Sequence, residues 1–492
     1  MVAGAGGGLA RGSLLEARHL FLVLVALLAT ACGGGPQPPP LDSFAVALSE
    51  DVAGVDLQTV PRYHLEVLIQ PEQATLAARA TVHYVNRAPA ELREVYFRLY
   101  PNMRMFGGSV GIVRASVDGH DVPFVVAGKG ADLKVPLPRT LLPGRATAIE
   151  VDFTVRYPEI KGEYDFFGTR EGVVLLPDFY PMLAPLIAGE WRLDPSPGFG
   201  DAAFSQISLY QLDVTVPAGY QVIAPGAISG PIPSGTGLSY HIVTGLARNI
   251  GLVAGRNYER QEEHAEGMAL IGYAFPQNRT ASAAALSHAS GAVAYCQDRL
   301  GPHSNRQLVL VEAPVGQASV HLSGMVLVSS RYYGEDRPLL SRAVAEGVVR
   351  QWWGDKVASD PLRDAWIDES LVGITTFLYL RTIRGAATMA PVLDSWRQAY
   401  ERAKATGLDG PLAQPLAAYG NSARYELLVG SKGPLFWYEM GELLGEDGLW
   451  TVMRRLQEQY AYGFLDTASL NATLSRLAGT PAIVLSEEWG VR

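Results

Sequence analysis

Histidine runs out early in this chain. Its nine histidines, at positions 19, 64, 83, 120, 241, 264, 288, 303 and 321, all precede residue 322, so no imidazole remains beyond that point for metal or proton chemistry. Cysteine is scarcer still. Cys32 and Cys296 are the only two, neither has metal-ligand spacing, and a single disulfide joining them is the only one the sequence permits. No basic run interrupts a formal net charge of −9, which argues against nucleic acid or acidic membrane patches as partners. No Gly-rich phosphate loop is present, which leaves no sign of a nucleotide enzyme. The one marked apolar run, Leu20 through Ala31, is about a dozen residues, short of the roughly 20 that a spanning helix needs.

What is present points to a globular protein delivered out of the cytoplasm. At 492 residues, 48% hydrophobic and 18% charged, the chain has room for two or three domains. Arg11, Arg18 and His19 precede the apolar run, which ends in Ala29-Thr30-Ala31-Cys32. That ending resembles a bacterial lipobox and predicts a signal peptide over 1–32, with Cys32 lipidated and the mature protein anchored outside the cytoplasm at the cell envelope. The alternatives are an uncleaved anchor and ordinary secretion, with a Cys32–Cys296 bridge open in the latter. Gly33-Gly34-Gly35-Pro36-Gln37-Pro38-Pro39-Pro40 then reads as a flexible, polyproline-like tether within a linker over 33–55.

From Tyr63 to Tyr157 the residues alternate: Tyr63 to Ile69, Ala78-Ala80-Val82-Tyr84, and Ile149-Val151-Phe153-Val155, with turns such as Asp118-Gly119 and Pro143-Gly144 between short runs. A β-domain over 56–257 is expected. Beyond it the period becomes helical, predicting helices over Ser282–Leu300, Ser341–Val357 and Trp366–Arg384, a strand over Gln307–Glu312, and helix-rich chain over Trp437–Tyr462. Val344, Val348 and Trp352 recur at i, i+4 and i+8 and should face a core. The expected class is α+β, with the second domain over 258–492.

One of these helices carries the most informative pattern. Glu346-Gly347-Val348-Val349-Arg350-Gln351-Trp352-Trp353-Gly354, followed by Trp366-Ile367-Asp368-Glu369, resembles H-E-x-x-H-x-W-x-G and the downstream Glu of gluzincin zinc aminopeptidases, the alanyl aminopeptidase and leukotriene hydrolase family. Trp352 and Gly354 match, and Glu369 stands at the third-ligand distance. The resemblance covers most of residues 56–492, including Tyr96-Phe97-Arg98-Leu99-Tyr100-Pro101 and Tyr180-Pro181-Met182-Leu183-Ala184-Pro185. It implies an N-terminal β-saddle, a thermolysin-like α/β domain, and a zinc ion as cofactor.

Position by position, the resemblance also implies loss. In that motif two His and the later Glu hold zinc while the intervening Glu polarises water. Here Glu346 stands for the first His, Gly347 for the general base and Arg350 for the second His, leaving Glu369 as the surviving ligand. The substrate-amine loop matches Val320-His321-Leu322-Ser323-Gly324, which puts His321 in place of the amine-binding Glu. The Y-x-K-G that steadies an oxyanion matches Gly430-Ser431-Lys432-Gly433, which puts Gly430 in place of the Tyr.

These replacements predict a membrane-anchored, aminopeptidase-like protein without zinc or catalysis, keeping a cleft for peptides or envelope proteins. Two other readings remain: an active metallopeptidase with an unusual site, and a structural envelope protein with a vestigial cleft. Glu346, Arg350 and Glu369 are expected to form a buried charge cluster in which Arg350 replaces the cation, although Glu346 and Arg350 also fit an ordinary helix-surface pair. His321 is either a non-coordinating loop residue or a nitrogen donor beside Glu346 and Glu369. Trp352, Trp353 and Tyr425 are expected in packing, with substrate contact as the alternative.

Overall fold

The computed structural model describes residues 37–49, 52–201, 203–334 and 337–492. Cys32, the signal peptide and the first residues of the tether lie outside them.

The alternating segments form a mostly antiparallel sheet of eight strands. Its order is Ala227–Ser234, Gly237–Ala247, Ser208–Pro217, Arg62–Gln70, Thr75–Val85, Ala146–Arg156, Ser109–Val117 and His120–Asp121. Within this sheet, among the described residues, only Arg62–Gln70 and Ser208–Pro217 pair in parallel. Along Arg62–Gln70 every second residue is buried, because one face meets the core and the other does not. Two four-stranded sheets close over the inner face. Tyr63, Val82, Phe97, Phe153, Leu176, Tyr180 and Tyr210 fill the space between, each at most 1% exposed.

The second half begins with a five-stranded sheet in the order Glu259–Ala265, Met268–Ala274, Gln307–Ala313, Met325–Ser329 and Ser319–Leu322. Among the described residues eight helices follow or cross it: α1 (Arg279–Leu300), α2 (Arg337–Val349), α3 (Trp366–Arg384), α4 (Ala386–Ala405), α5 (Ser422–Leu427), α6 (Gly433–Leu444), α7 (Glu446–Gln459) and α8 (Thr467–Glu488). Val344, Val348, Trp352, Trp353 and Trp366 are fully buried in their shared core. The class is α+β, with strands first and helices after.

Two expectations need correction. The helix predicted over Ser341–Val357 starts at Arg337 and stops at Val349. Its apolar stripe continues through Trp352, but Trp352 N–H bonds back to Val349 O, and Gly354 turns the chain at a φ of 105°. That left-handed backbone favours glycine and ends the helix.

The linker over 33–55 is not a free tether along its length. Leu41–Val46 forms a 3-10 helix, and Phe44 is fully buried among Val60, Leu209, Val243, Leu246 and, from the helical half, Tyr462. The segment therefore pins both halves. Among the described residues no helix is long and apolar enough to cross a membrane.

Candidate functional site

Arg350 meets Glu369 in a two-pronged ion pair. Its Nη1 donates to Oε1 at 2.9 Å and its Nη2 to Oε2 at 2.6 Å. The register that allows this comes from α2 and the start of α3. Arg350 N–H still bonds Glu346 O at 3.0 Å, so the side chains of 346 and 350 share one helical face even though the helix is ending. Glu369 stands in the first turn of α3. Glu346 is a looser neighbour, with Oε1 3.6 Å from Arg350 Nη2.

The cluster is partly rather than fully buried, since the side chains of Arg350, Glu369 and Glu346 are 18%, 27% and 31% exposed. Burial works against the charged guanidinium. Glu369, by charge and hydrogen bond, and then Glu346 outweigh that and hold the Arg350 pKa above its ordinary value.

The other predicted positions fall around this pair. His321 lies on the edge strand Ser319–Leu322 rather than in a loop, and its Nε2 bonds Ser319 Oγ at 2.9 Å. Desolvation and the charge of Arg350 depress its pKa well below that of a free imidazole, keeping the ring neutral. Tyr425, on α5, is buried edge-on against Tyr419 with ring centroids 5.3 Å apart. Gly347 packs onto the strand Met325–Ser329, and a Cβ there would lie 2.5 Å from Val326 Cγ1. Gly430 sits in a short π-helical turn, Leu428–Lys432, with nothing within 4 Å of where a Cβ would project. Lys432 from the same turn is buried and donates to Asp409 Oδ1 at 2.8 Å.

Several residues of the site were not singled out in advance. Asp368 precedes Glu369 and accepts from Ser359 Oγ at 2.9 Å; burial and the Glu369 charge push its carboxyl up to about 7. Asp355 Oδ1 accepts from Ser323 Oγ at 2.6 Å, and burial raises that carboxyl to about 6. Gln351 staples the end of α2 to the next strand turn, accepting from Gly324 N–H at 2.8 Å and donating to Leu322 O at 3.2 Å. Arg248 is buried and donates to Asp355 O at 2.6 Å, Ser205 O at 3.2 Å and Gly463 O at 2.6 Å. The adjacency of Asp368 to Glu369 was the only one of these signals readable from the sequence. Asp201, Arg248, His321, Arg350, Asp355 and Asp368 help to line a cavity of about 80 Å³. That is small beside the roughly 300–1,000 Å³ of ordinary small-molecule sites.

Neither a protein-family model nor a curated protein matches the sequence. Solved structures do match. An M1 zinc metallopeptidase from Deinococcus radiodurans superimposes with a TM-score of 0.67 over 88% of this chain and 94% of that one, at 16% identity. The fold is that of the M1 zinc metallopeptidases. Two structures of a glutamate-to-alanine mutant align similarly. One, bound to L-arginine, has a TM-score of 0.64 at 16% identity and covers 88% of this chain and 93% of that one. The other, bound to a Tyr-Ser-Ala substrate, has a TM-score of 0.64 at 16% identity and covers 88% and 94%.

The residues that the sequence resemblance sets at the three metal positions make a poor donor set for zinc. Arg350 has no lone pair to give, and both oxygens of Glu369 already accept from it. Glu346 alone remains, and His321 is engaged with Ser319. Among the described residues, no three His, Cys, Asp or Glu side chains gather where they could hold a metal ion.

Proposed function

We propose that this chain is an aminopeptidase-like lipoprotein that has lost zinc and hydrolysis and serves as a binding protein. On this reading it is held at the bacterial cell envelope, outside the cytoplasm, through lipidated Cys32, and takes peptides or envelope proteins as partners. The observation that carries the reading is the Arg350–Glu369 pair, in which a guanidinium takes both oxygens of the one carboxylate left at a metal position. Gly347 and Gly430, at the general-base and oxyanion positions, have no side chain with which to move a proton or donate a hydrogen bond. The ligand class is taken from the fold neighbours, which have been solved with an amino acid and with a tripeptide. A cavity of about 80 Å³ suits a chain terminus or one small side chain better than a whole peptide.

The test is elemental analysis of purified protein before and after incubation with zinc, alongside hydrolysis of alanyl and leucyl model substrates. Stoichiometric zinc that survives dialysis, with chelator-sensitive turnover, would reject the reading. The small cavity also favours a second reading, a structural envelope protein whose cleft is vestigial. A peptide-library screen decides between them, because only a binding protein retains ligands that Arg350→Ala releases.

A further inference from the structure

The chain as a whole is acidic, but one end of its eight-stranded sheet gathers arginine. Asn86, fully buried, is the organiser. Its N–H donates to Arg145 O at 3.0 Å, its carbonyl accepts from Gly144 N–H at 2.8 Å, and its side-chain amide donates to Ala90 O and Leu141 O, both at 2.9 Å. These bonds draw together the turn after Thr75–Val85, the turn before Ala146–Arg156, and the strands that meet where Leu92 pairs with Leu141. Arg87, Arg139 and Arg145 emerge here exposed, and Leu142 stands between the last two with 53% of its surface open. Two acids of these turns are engaged: Glu91 pairs with Arg93, and Asp118 accepts from Thr147 Oγ1 and Ala148 N–H. No basic run marks this corner in the sequence, because the turns that build it are far apart along the chain.

The same end receives the tether. Gln37 is hydrogen-bonded through its backbone to the ring of His83, and Arg62 Nη1 donates to Pro39 O at 2.9 Å. Both partners lie at this end, since Arg62 pairs with His83 across the first two strands. Pro39 and Phe44 are buried, so the chain is moored to the fold from Gln37 onward. Only Gly33, Gly34, Gly35 and Pro36 separate Cys32 from that mooring. Five Cα steps of at most about 3.6 Å span roughly 18 Å.

We propose that the Arg87–Arg139–Arg145 corner of the β-domain lies against anionic phospholipid headgroups, so that the protein sits on its membrane in one orientation. This rests on the lipid-anchor reading above. Acyl chains on Cys32 bring the corner within tether length of the surface. Guanidinium forks suit phosphate oxygens, and basic side chains close to an anionic surface are drawn to it. Leu142, at the tip of the same turn, is placed to enter the interface between headgroups and acyl chains.

The test uses mature lipidated protein on vesicles of phosphatidylcholine with phosphatidylglycerol, with a quencher carried on the lipid. A fluorophore is attached at Leu142→Cys or, as a control, at Gln73→Cys, which lies at the opposite end of strands roughly 30 Å long. Cys296 is buried and does not compete for label. The expected result is several-fold stronger quenching at 142 than at 73. In Arg87→Glu/Arg139→Glu/Arg145→Glu that difference collapses while the protein still floats with the vesicles. Equal quenching at both sites in lipidated wild-type protein overturns the orientation and leaves the anchor standing. A difference that persists in the triple variant overturns the role of the arginines. Protein that matures without lipid and does not float overturns the anchor reading and the orientation with it.

Discussion

Gly347 and Val326 are packed so closely that no side chain fits between them. A Cβ on residue 347 would lie 2.5 and 2.8 Å from the two methyl carbons of Val326, on a strand of the five-stranded sheet. The position that the sequence resemblance aligns with a general base therefore has no room for a carboxylate, as α2 is packed against the strand.

Gly347→Glu alone is expected to destabilise the protein by about 2–4 kcal/mol through overpacking and a misplaced charge, read as a lowered denaturant midpoint. Val326→Ala in the same chain should recover part of the loss. Gly430→Tyr, facing open space, should change stability by no more than about 0.5 kcal/mol.

Replacing Glu346 and Arg350 by histidine rebuilds two imidazoles above Glu369 without touching Gly347. Zinc should then raise the melting temperature in proportion to the logarithm of its concentration, while hydrolysis of alanyl substrates stays at background. In the wild-type protein, excess zinc should leave the melting temperature unchanged.

Removing one member of the ion pair strands the other. Arg350→Ala should cost about 2–3 kcal/mol, below the 3–5 of a fully buried pair because all three side chains keep some solvent. Arg350→Met with Glu369→Leu should cost less than Arg350→Ala. Chemical denaturation of the three proteins checks the order.

Asp178 supplies a pH dependence. Burial, and then the charge of Asp201, raise its carboxyl from 3.8 to about 8, and its Oδ1 has no hydrogen-bond partner. The folded state thus holds a proton that the unfolded state has already released, so stability falls as pH rises toward about 8. Below about 6.5 the buried His303, depressed to about 3, opposes this, because the unfolded ring takes up a proton first. Between about pH 6.5 and 8 the net slope should be downward. Asp178→Asn should flatten it, with asparagine accepting the local φ of 53°. Thermal melts at pH 6.5 and 8.5 provide the measurement.

The spacing between Arg350 and Glu369 was legible because helix geometry fixes which residues share a face, and the two residues lie only 19 apart along the chain. The β-first, α-after order was legible for a similar reason, as a change of period from 2 to 3.6. The Gly347–Val326 contact was not, since it joins elements whose distance depends on packing. The end of α2 was overread because the apolar stripe runs on through Trp352 and Trp353 while the backbone has already turned. Phe44 was hidden by its neighbours: a Gly- and Pro-rich stretch reads as tether whatever single aromatic it contains. The raised carboxyls of Asp355 and Asp368 depend on burial by distant segments, which composition does not encode.

Arg248 has a mechanical consequence. Its guanidinium is solvated by backbone carbonyls from either side of the boundary, Ser205 on the β-domain and Asp355 and Gly463 beyond it. Hinging the halves apart would strip a buried cation of oxygens that water could replace only after the joint had opened. The two halves are thereby latched into one cooperative body, and calorimetry should record a single transition whose van't Hoff and calorimetric enthalpies agree.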